Sequence, residues 1–209
     1  TASAGYEVTN VTVTVVADYP SGSPLTINKS LIQYFPTAGT LAAYPDQDGS
    51  AANPFVLATA DDYVALKNAV TNGTAGTYYY KQVADITLGS EGAPWAGIGL
   101  NSSQPGGKNL GFSGKLDGGN YTLNVYMVSG RYHGVFNYTL GATISNMTVN
   151  VTGWATAAGA TDYDGGGALL GRCKNSTVRN VTSTGNPGQL DDIVGGIAGA
   201  VTSSTFISC

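Results

Sequence analysis

Gly134-Val-Phe-Asn137-Tyr-Thr-Leu-Gly-Ala-Thr143-Ile-Ser-Asn146-Met147 has two later counterparts in the same chain. They are Ala168-Leu-Leu-Gly171-Arg-Cys-Lys-Asn-Ser-Thr177-Val-Arg-Asn180-Val181 and Gly196-Ile-Ala-Gly199-Ala-Val-Thr-Ser-Ser-Thr205-Phe-Ile-Ser208-Cys209. The three align without a gap. With Asn137, Gly171 and Gly199 as one column, a threonine follows six positions later each time, and a bulky apolar residue follows it (Ile144, Val178, Phe206). The anchors lie 34 and then 28 residues apart, the period of solenoids and stacked arrays. Each unit has short β-branched runs broken by glycine, asparagine and serine, and none has the 3.6-residue apolar period of a helix. Short strands with glycine at the corners, repeated at this period, read as coils of a parallel β-helix in an all-β chain.

Composition sets the outer limits. A chain of 209 residues is long enough for one elongated domain with an added arm. Only 11% of residues are charged and the net charge is −4, which argues against nucleic acid as a partner, since that needs a basic face. No apolar run approaches the ~20 residues of a membrane span, so membrane insertion is not expected. Ala2-Ser3-Ala4 resembles the small-residue end of a secretory signal, which points to an extracellular or cell-surface location.

Upstream of the repeats the chain changes character. Residues 7–16 alternate, with Val11, Val13 and Val15 (and Val8 before them) set against Thr12 and Thr14, and so form a strand with an apolar face. Pro20, Gly22 and Pro24 follow, then a weaker strand from Leu25 to Phe35. No tight turn returns a partner, so this arm is expected to bury its valines against something distant. Residues 36–54 are rich in Gly, Pro, Ala, Asp and Ser and read as a linker, with Asp46-Gln-Asp48-Gly49 a solvated turn because it lacks the later ligands of a calcium loop. Thr59 and Asp62 form a capping-box pair, Tyr63, Leu66 and Val70 share one helical face, and Gly73 ends the helix. Such a helix is suited to cover the open end of a first coil. The expected division is an arm and linker over 1–48 and a β-helix domain over 49–209.

The segment Gly49-Ser-Ala-Ala-Asn-Pro54-Phe-Val-Leu-Ala-Thr59-Ala-Asp-Asp-Tyr-Val-Ala-Leu66 resembles the entry segment of the GLUG-motif β-helix proteins of microbial cell surfaces. Later signals keep that family's order: Ala84-Asp-Ile-Thr-Leu88, Trp95-Ala-Gly-Ile-Gly99, then Phe112-Ser-Gly-Lys-Leu-Asp117-Gly-Gly-Asn-Tyr-Thr122-Leu, then the repeats. The resemblance covers residues 49–209. It implies a right-handed parallel β-helix in a secreted or surface-anchored, often adhesin-like protein, and it implies no catalytic residues.

Ten Asn-x-Ser/Thr sequons stand out, at Asn10, Asn28, Asn72, Asn101, Asn120, Asn137, Asn146, Asn150, Asn175 and Asn180, where the composition alone would give about three. They point to N-linked glycans on an extracellular protein. The competing reading is that threonine favours strands and asparagine favours corners, so the pair recurs without sugar. That reading is strongest at Asn146 and Asn180, which share a column about 4.8 Å apart and suit an inward ladder of amides.

Catalysis finds little support. Asp162, Asp164, Asp191 and Asp192 fall on loops between coils, where carboxylates on adjacent coils would stand about 5 Å apart, a spacing open to a glycosidase or a calcium site. A solvated acidic patch beside Arg131 explains them as well. His133 has no assignable nucleophile, so a triad is unsupported. Tyr78-Tyr-Tyr80, Trp95, Tyr121, Tyr126, Tyr132 and Tyr163 are candidates for a sugar-stacking surface. Cys173 and Cys209 allow one disulfide, or Cys209 fills the apolar column of Met147 and Val181 as a small hydrophobe. Neither has metal-ligand spacing, so no metal and no cofactor is expected.

The repeats reach Cys209 without a cap, and the N-terminal strand lacks a neighbour. Together these suggest a head-to-tail homopolymer, in which Val8, Val11, Val13 and Val15 of one copy add as a strand to the next. The expected function is a glycosylated structural or adhesive surface protein. The competing class is a carbohydrate-active enzyme or carbohydrate-binding module using the Asp162, Asp164, Asp191 and Asp192 cluster.

Overall fold

The computed structural model of the chain describes residues 11–17, 25–31, 47–99, 110–129, 132–156, 165–185 and 194–209. Fifteen strands and one α-helix follow in order among them. The first part holds β1 (Val11–Ala17), β2 (Leu25–Leu31), β3 (Phe55–Leu57), α1 (Ala60–Thr71), β4 (Tyr79–Gln82), β5 (Ile86–Leu88), β6 (Lys115–Asp117) and β7 (Thr122–Ser129). The second holds β8 (Phe136–Leu140), β9 (Thr143–Thr156), β10 (Gly166–Gly167), β11 (Leu170–Lys174), β12 (Thr177–Gly185), β13 (Val194–Gly195), β14 (Ala198–Thr202) and β15 (Thr205–Ile207).

Apart from β1 and β2, every named strand pairs in parallel. The largest sheet runs β15-β12-β9-β6-β4-β3, with β5 joined to β7 and β7 to β9. A second sheet runs β14-β11-β8 and a third pairs β10 with β13. Among the described residues this is an all-β, mostly parallel-stranded chain with one helix.

The sequence columns are the hydrogen-bonded registers. Thr143, Thr177 and Thr205 are neighbours across β9, β12 and β15, as are Ile144, Val178 and Phe206. On the second sheet Phe136, Leu170 and Ala198 form one row and Thr139, Cys173 and Val201 another. Because successive strands repeat the same inward positions, like residues stack. Tyr80, Leu116, Ile144 and Val178 make a continuous buried row across β4, β6, β9 and β12. Ile86, Leu123 and Val149, with Leu88, Val125 and Val151 beside them, make a second. Between the sheets the aromatic rings of Tyr80, Phe112 and Phe136 follow one another at centroid spacings of 5.6 and 4.9 Å.

Corners need a left-handed backbone, which a side chain with a Cβ resists and glycine or asparagine accepts. Gly141, Asn175 and Ser203 occupy one such corner, with φ of 74°, 51° and 47°. Asn146, Asn180 and Ser208 occupy another, with φ of 56°, 51° and 52°. The polar residues that punctuate the repeats are therefore there for the backbone. Gly166 has a different reason: a Cβ at that position would enter the imidazole ring of the buried His133.

The helix forms where the capping box and apolar face place it. The Thr59 hydroxyl accepts from the Asp62 N–H, and the Asp62 carboxylate accepts from the Ala58 and Thr59 N–H groups and from the Thr59 hydroxyl. Tyr63, Leu66 and Val70 are buried, and Gly73 follows the helix at φ 73°. The helix packs on β3, the terminal strand of the large sheet, and on β5.

The N-terminal strand departs from expectation. β1 does have a sequence-near partner: β2 runs antiparallel to it, with Val11, Val13 and Val15 opposite Leu31, Lys29 and Ile27. Pro20, Gly22 and Pro24 lie outside the described residues, and the strands on either side of them pair as a hairpin. The described part of the second strand is Leu25–Leu31, and residues 32–35 of the expected Leu25 to Phe35 run lie outside the described residues. Val8 lies outside the described residues.

Candidate functional site

The sequon asparagines divide by what their side chains do. Asn72 is exposed as the C-cap of α1, where its backbone N–H donates to Asn68 O at 2.9 Å. Asn120 is exposed at φ 63° ahead of β7, and Asn175 is exposed at the corner between β11 and β12. Among the described residues, none of these three side-chain amides takes part in a hydrogen bond, so each is open to solvent and to modification.

Four more of the sequon asparagines have engaged side chains. Asn137 donates from Nδ2 to Ala96 O at 2.8 Å, packed so closely over Gly97 that a Cβ there would collide with its amide. Asn180 Nδ2 donates to Asn146 Oδ1 at 3.0 Å, and Asn146 Nδ2 donates to Asp117 Oδ1 at 3.0 Å. Asn150 Nδ2 donates to Asn124 Oδ1 at 2.8 Å and Asn150 Oδ1 accepts from Thr184 Oγ1 at 3.0 Å. Two ladders of side-chain hydrogen bonds thus cross the strands. The Asn146–Asn180 ladder exists, but it is not inward: Asn180 is exposed and Asn146 partly so, because both sit at the left-handed corner instead of in the strand alternation. Asn28 lies in β2 opposite Thr14, and Asn10 and Asn101 lie outside the described residues.

Both cysteines are free thiols. Cys173 is fully buried in β11, while Cys209 is exposed beyond β15, the edge strand of a different sheet, so the bridge is not formed and Cys209 does not share the burial of Met147 and Val181. Asp162, Asp164, Asp191, Asp192, Arg131 and Tyr163 fall outside the described residues. The aromatic set separates in two. Tyr80 and Trp95 belong to the core, with Trp95 Nε1 donating to Val135 O at 3.1 Å, whereas Tyr78 and Tyr121 are exposed.

The sequence reading missed a cleft of about 420 Å³ on the outward face of the large sheet. Ala51, Ala52 and Pro54 form one side, and its floor is the outward residues of β4, β6 and β9. The outward rows are Tyr79, Lys115, Thr143 and Lys81, Asp117, Ser145, with Arg179 next to Ser145 on β12. Lys115 Nζ donates to the Tyr79 hydroxyl at 2.8 Å and lies 4.5 Å from that ring's centroid. Asp117 Oδ1 accepts from the Gly119 N–H at 3.0 Å as well as from Asn146. The signal was present as alternation in Tyr79-Tyr-Lys81 and Lys115-Leu-Asp117. Only the strand register puts the two segments side by side.

No family model matches the chain, so the resemblance to the GLUG-motif proteins rests on the quoted residues alone. No solved structure matches it either. Over 165 residues, 75% of the chain, it is 33% identical to halomucin of Haloquadratum walsbyi (strain DSM 16790 / HBSQ001). That stretch spans 2% of halomucin's length, so the chain is similar to a small part of an archaeal cell-surface protein.

Proposed function

We propose that the chain is a structural module of a surface-associated protein: a right-handed parallel β-helix, N-glycosylated on its exposed turns and without catalytic chemistry of its own. The observation that carries this reading is the in-register stacking of the repeat columns, with Asn72, Asn120 and Asn175 presented on turns and free of other duties. A parallel connection within one sheet is right-handed in nearly all proteins, which supports the hand. The similarity to halomucin supports the surface location. Among the described residues no helix is long and apolar enough to cross a membrane.

Material from the natural source is expected to exceed the sequence mass of 21.3 kDa and to return to it on enzymatic or chemical deglycosylation. Peptide mapping should find sugar at Asn72, Asn120 and Asn175 before Asn137, Asn146, Asn150 or Asn180, whose amides are engaged. A bare mass at all ten sequons would refute the glycoprotein reading.

Assembly is the second half of the proposal. Copies join head to tail by strand addition, using the open side of the β1–β2 hairpin, where Val11, Val13 and Val15 alternate with threonine. Support comes from the β1–β2 sheet, which has two strands among the described residues; a two-stranded sheet is marginal alone and gains by pairing further. Removing residues 1–31 should leave a folded chain that sediments as a monomer while the full chain forms polymers. Identical sedimentation of the two would rule this step out.

A further inference from the structure

We propose that the outward cleft over β4, β6 and β9 binds an acidic saccharide, one carrying carboxylate or sulfate groups. The ligand is held by the Lys81 and Lys115 ammonium groups against the hydroxyls of Thr143 and Ser145. The inference does not rest on glycosylation or assembly of the chain.

Three observations lead to it. The first is size and shape: about 420 Å³ lies within the range of pockets that hold small ligands, and it is floored by rigid strands rather than loops. The second is charge. The chain as a whole is acidic, with a net charge of −4 and only nine Lys and Arg residues, yet two lysines line one cleft. Among the described residues neither lysine has a carboxylate partner. The single carboxylate of the lining, Asp117, is already bound at Oδ1 by the Gly119 N–H and the Asn146 amide. The Tyr79 ring and hydroxyl fix the Lys115 ammonium in place, which lowers the entropy it loses on meeting an anion.

The third is the complement of neutral groups. The hydroxyls of Thr143 and Ser145 make no side-chain hydrogen bond among the described residues, and both line the cleft. Hydroxyls that donate and accept beside two cations, one of them held by Tyr79, match a polyhydroxylated anion better than a bare ion or an apolar ligand. The rows also extend. Arg179 follows Ser145 in the outward row that begins at Lys81, three inter-strand steps or about 14 Å away. A charged polysaccharide laid across the strands would meet Lys81 and Lys115 first and Arg179 beyond them.

The test is titration of the purified full chain with tetragalacturonate at low salt, followed by calorimetry. Cellotetraose serves as the neutral control, and a single-stranded oligonucleotide of equal charge as the control for non-specific anion binding. The expected result is saturable binding of the acidic tetrasaccharide alone. The double variant Lys81→Gln/Lys115→Gln should weaken it by about tenfold or more. Lys174→Gln, on β11 of the other sheet, should change it less than about twofold. Both substitutions are of exposed or half-exposed residues, and an unchanged circular-dichroism spectrum confirms the fold. Absence of saturable binding would overturn the proposal. So would equal binding of cellotetraose or the oligonucleotide, or equal weakening by Lys174→Gln.

Discussion

Phe112→Ala is expected to lower the unfolding free energy by about 3–5 kcal/mol, the usual cost of truncating a fully buried phenylalanine. Phe112 is completely enclosed, with Tyr80 on one side at 5.6 Å and Phe136 on the other at 4.9 Å between ring centroids. It therefore joins the large sheet, through Tyr80, to the sheet that contains Phe136. Its backbone takes part as well: the Phe112 N–H donates to Tyr138 O at 3.0 Å and its carbonyl accepts from the Leu140 N–H at 2.9 Å. Those bonds survive the substitution, so the loss isolates the ring. Each aromatic pair contributes about 0.5–1.5 kcal/mol beyond the area it buries. The remainder is transfer of the ring to water plus the cavity that parallel strands, tied by backbone bonds on both sides, cannot collapse to fill. Denaturant titration should show a lower midpoint with an unchanged slope, and Phe112→Leu, which retains most of the volume, should cost less than half as much. A loss under about 1 kcal/mol for Phe112→Ala would show that the rings do not hold the two sheets together.

Why the repeats were legible and the rest was not follows from the range of the interactions. Asn137, Gly171 and Gly199 share a column because consecutive strands repeat the same backbone environment, so a purely local alignment reproduces the spatial register. The helix was legible for a similar reason, since its capping box and apolar face are contained within fourteen or so residues. Proline and glycine after Ala17 argue against a continuing strand but not against its return, so the hairpin is not legible in them. The shared column makes the amide ladder legible but not its direction. Positive φ at Asn146 and Asn180 removes both from the in-out alternation, and sequence alternation cannot register that. Residue type alone suits Trp95 to a sugar platform, whereas it is buried and its indole N–H donates to Val135 O, forty residues away. The cleft needed three strands distant in sequence to be placed side by side.

Gln82 is the polar residue on which the first strands depend, and its replacement should be nearly as costly as that of Phe112. It is fully buried, yet both polar atoms of its side chain are used. Its Oε1 accepts from the Tyr63 hydroxyl at 2.9 Å, and its Nε2 donates to Ala84 O at 2.8 Å and Thr122 O at 3.3 Å. Those partners belong to α1, to the turn into β5 and to the first residue of β7, so one amide fastens the helix to two later segments of chain. Gln82→Leu keeps the volume but leaves the Tyr63 hydroxyl without its acceptor and removes the side-chain bonds to the Ala84 and Thr122 carbonyls. At about 1–3 kcal/mol for each buried group left unsatisfied, and less for the long bond to Thr122, the loss should be about 2–4 kcal/mol. Burial also raises the Tyr63 pKa far above the ordinary tyrosine value, so its hydroxyl remains a neutral donor across the accessible pH range. Tyr63→Phe removes one partner cleanly and should cost about 1–2 kcal/mol. The decisive quantity is the double variant. Removing the hydroxyl together with the amide eliminates the orphaned donor, so Tyr63→Phe/Gln82→Leu should be more stable than the sum of the two single losses by about 1 kcal/mol or more. Additive losses would mean that the Tyr63–Gln82 hydrogen bond contributes nothing, and that the helix is held on its strands by apolar packing alone.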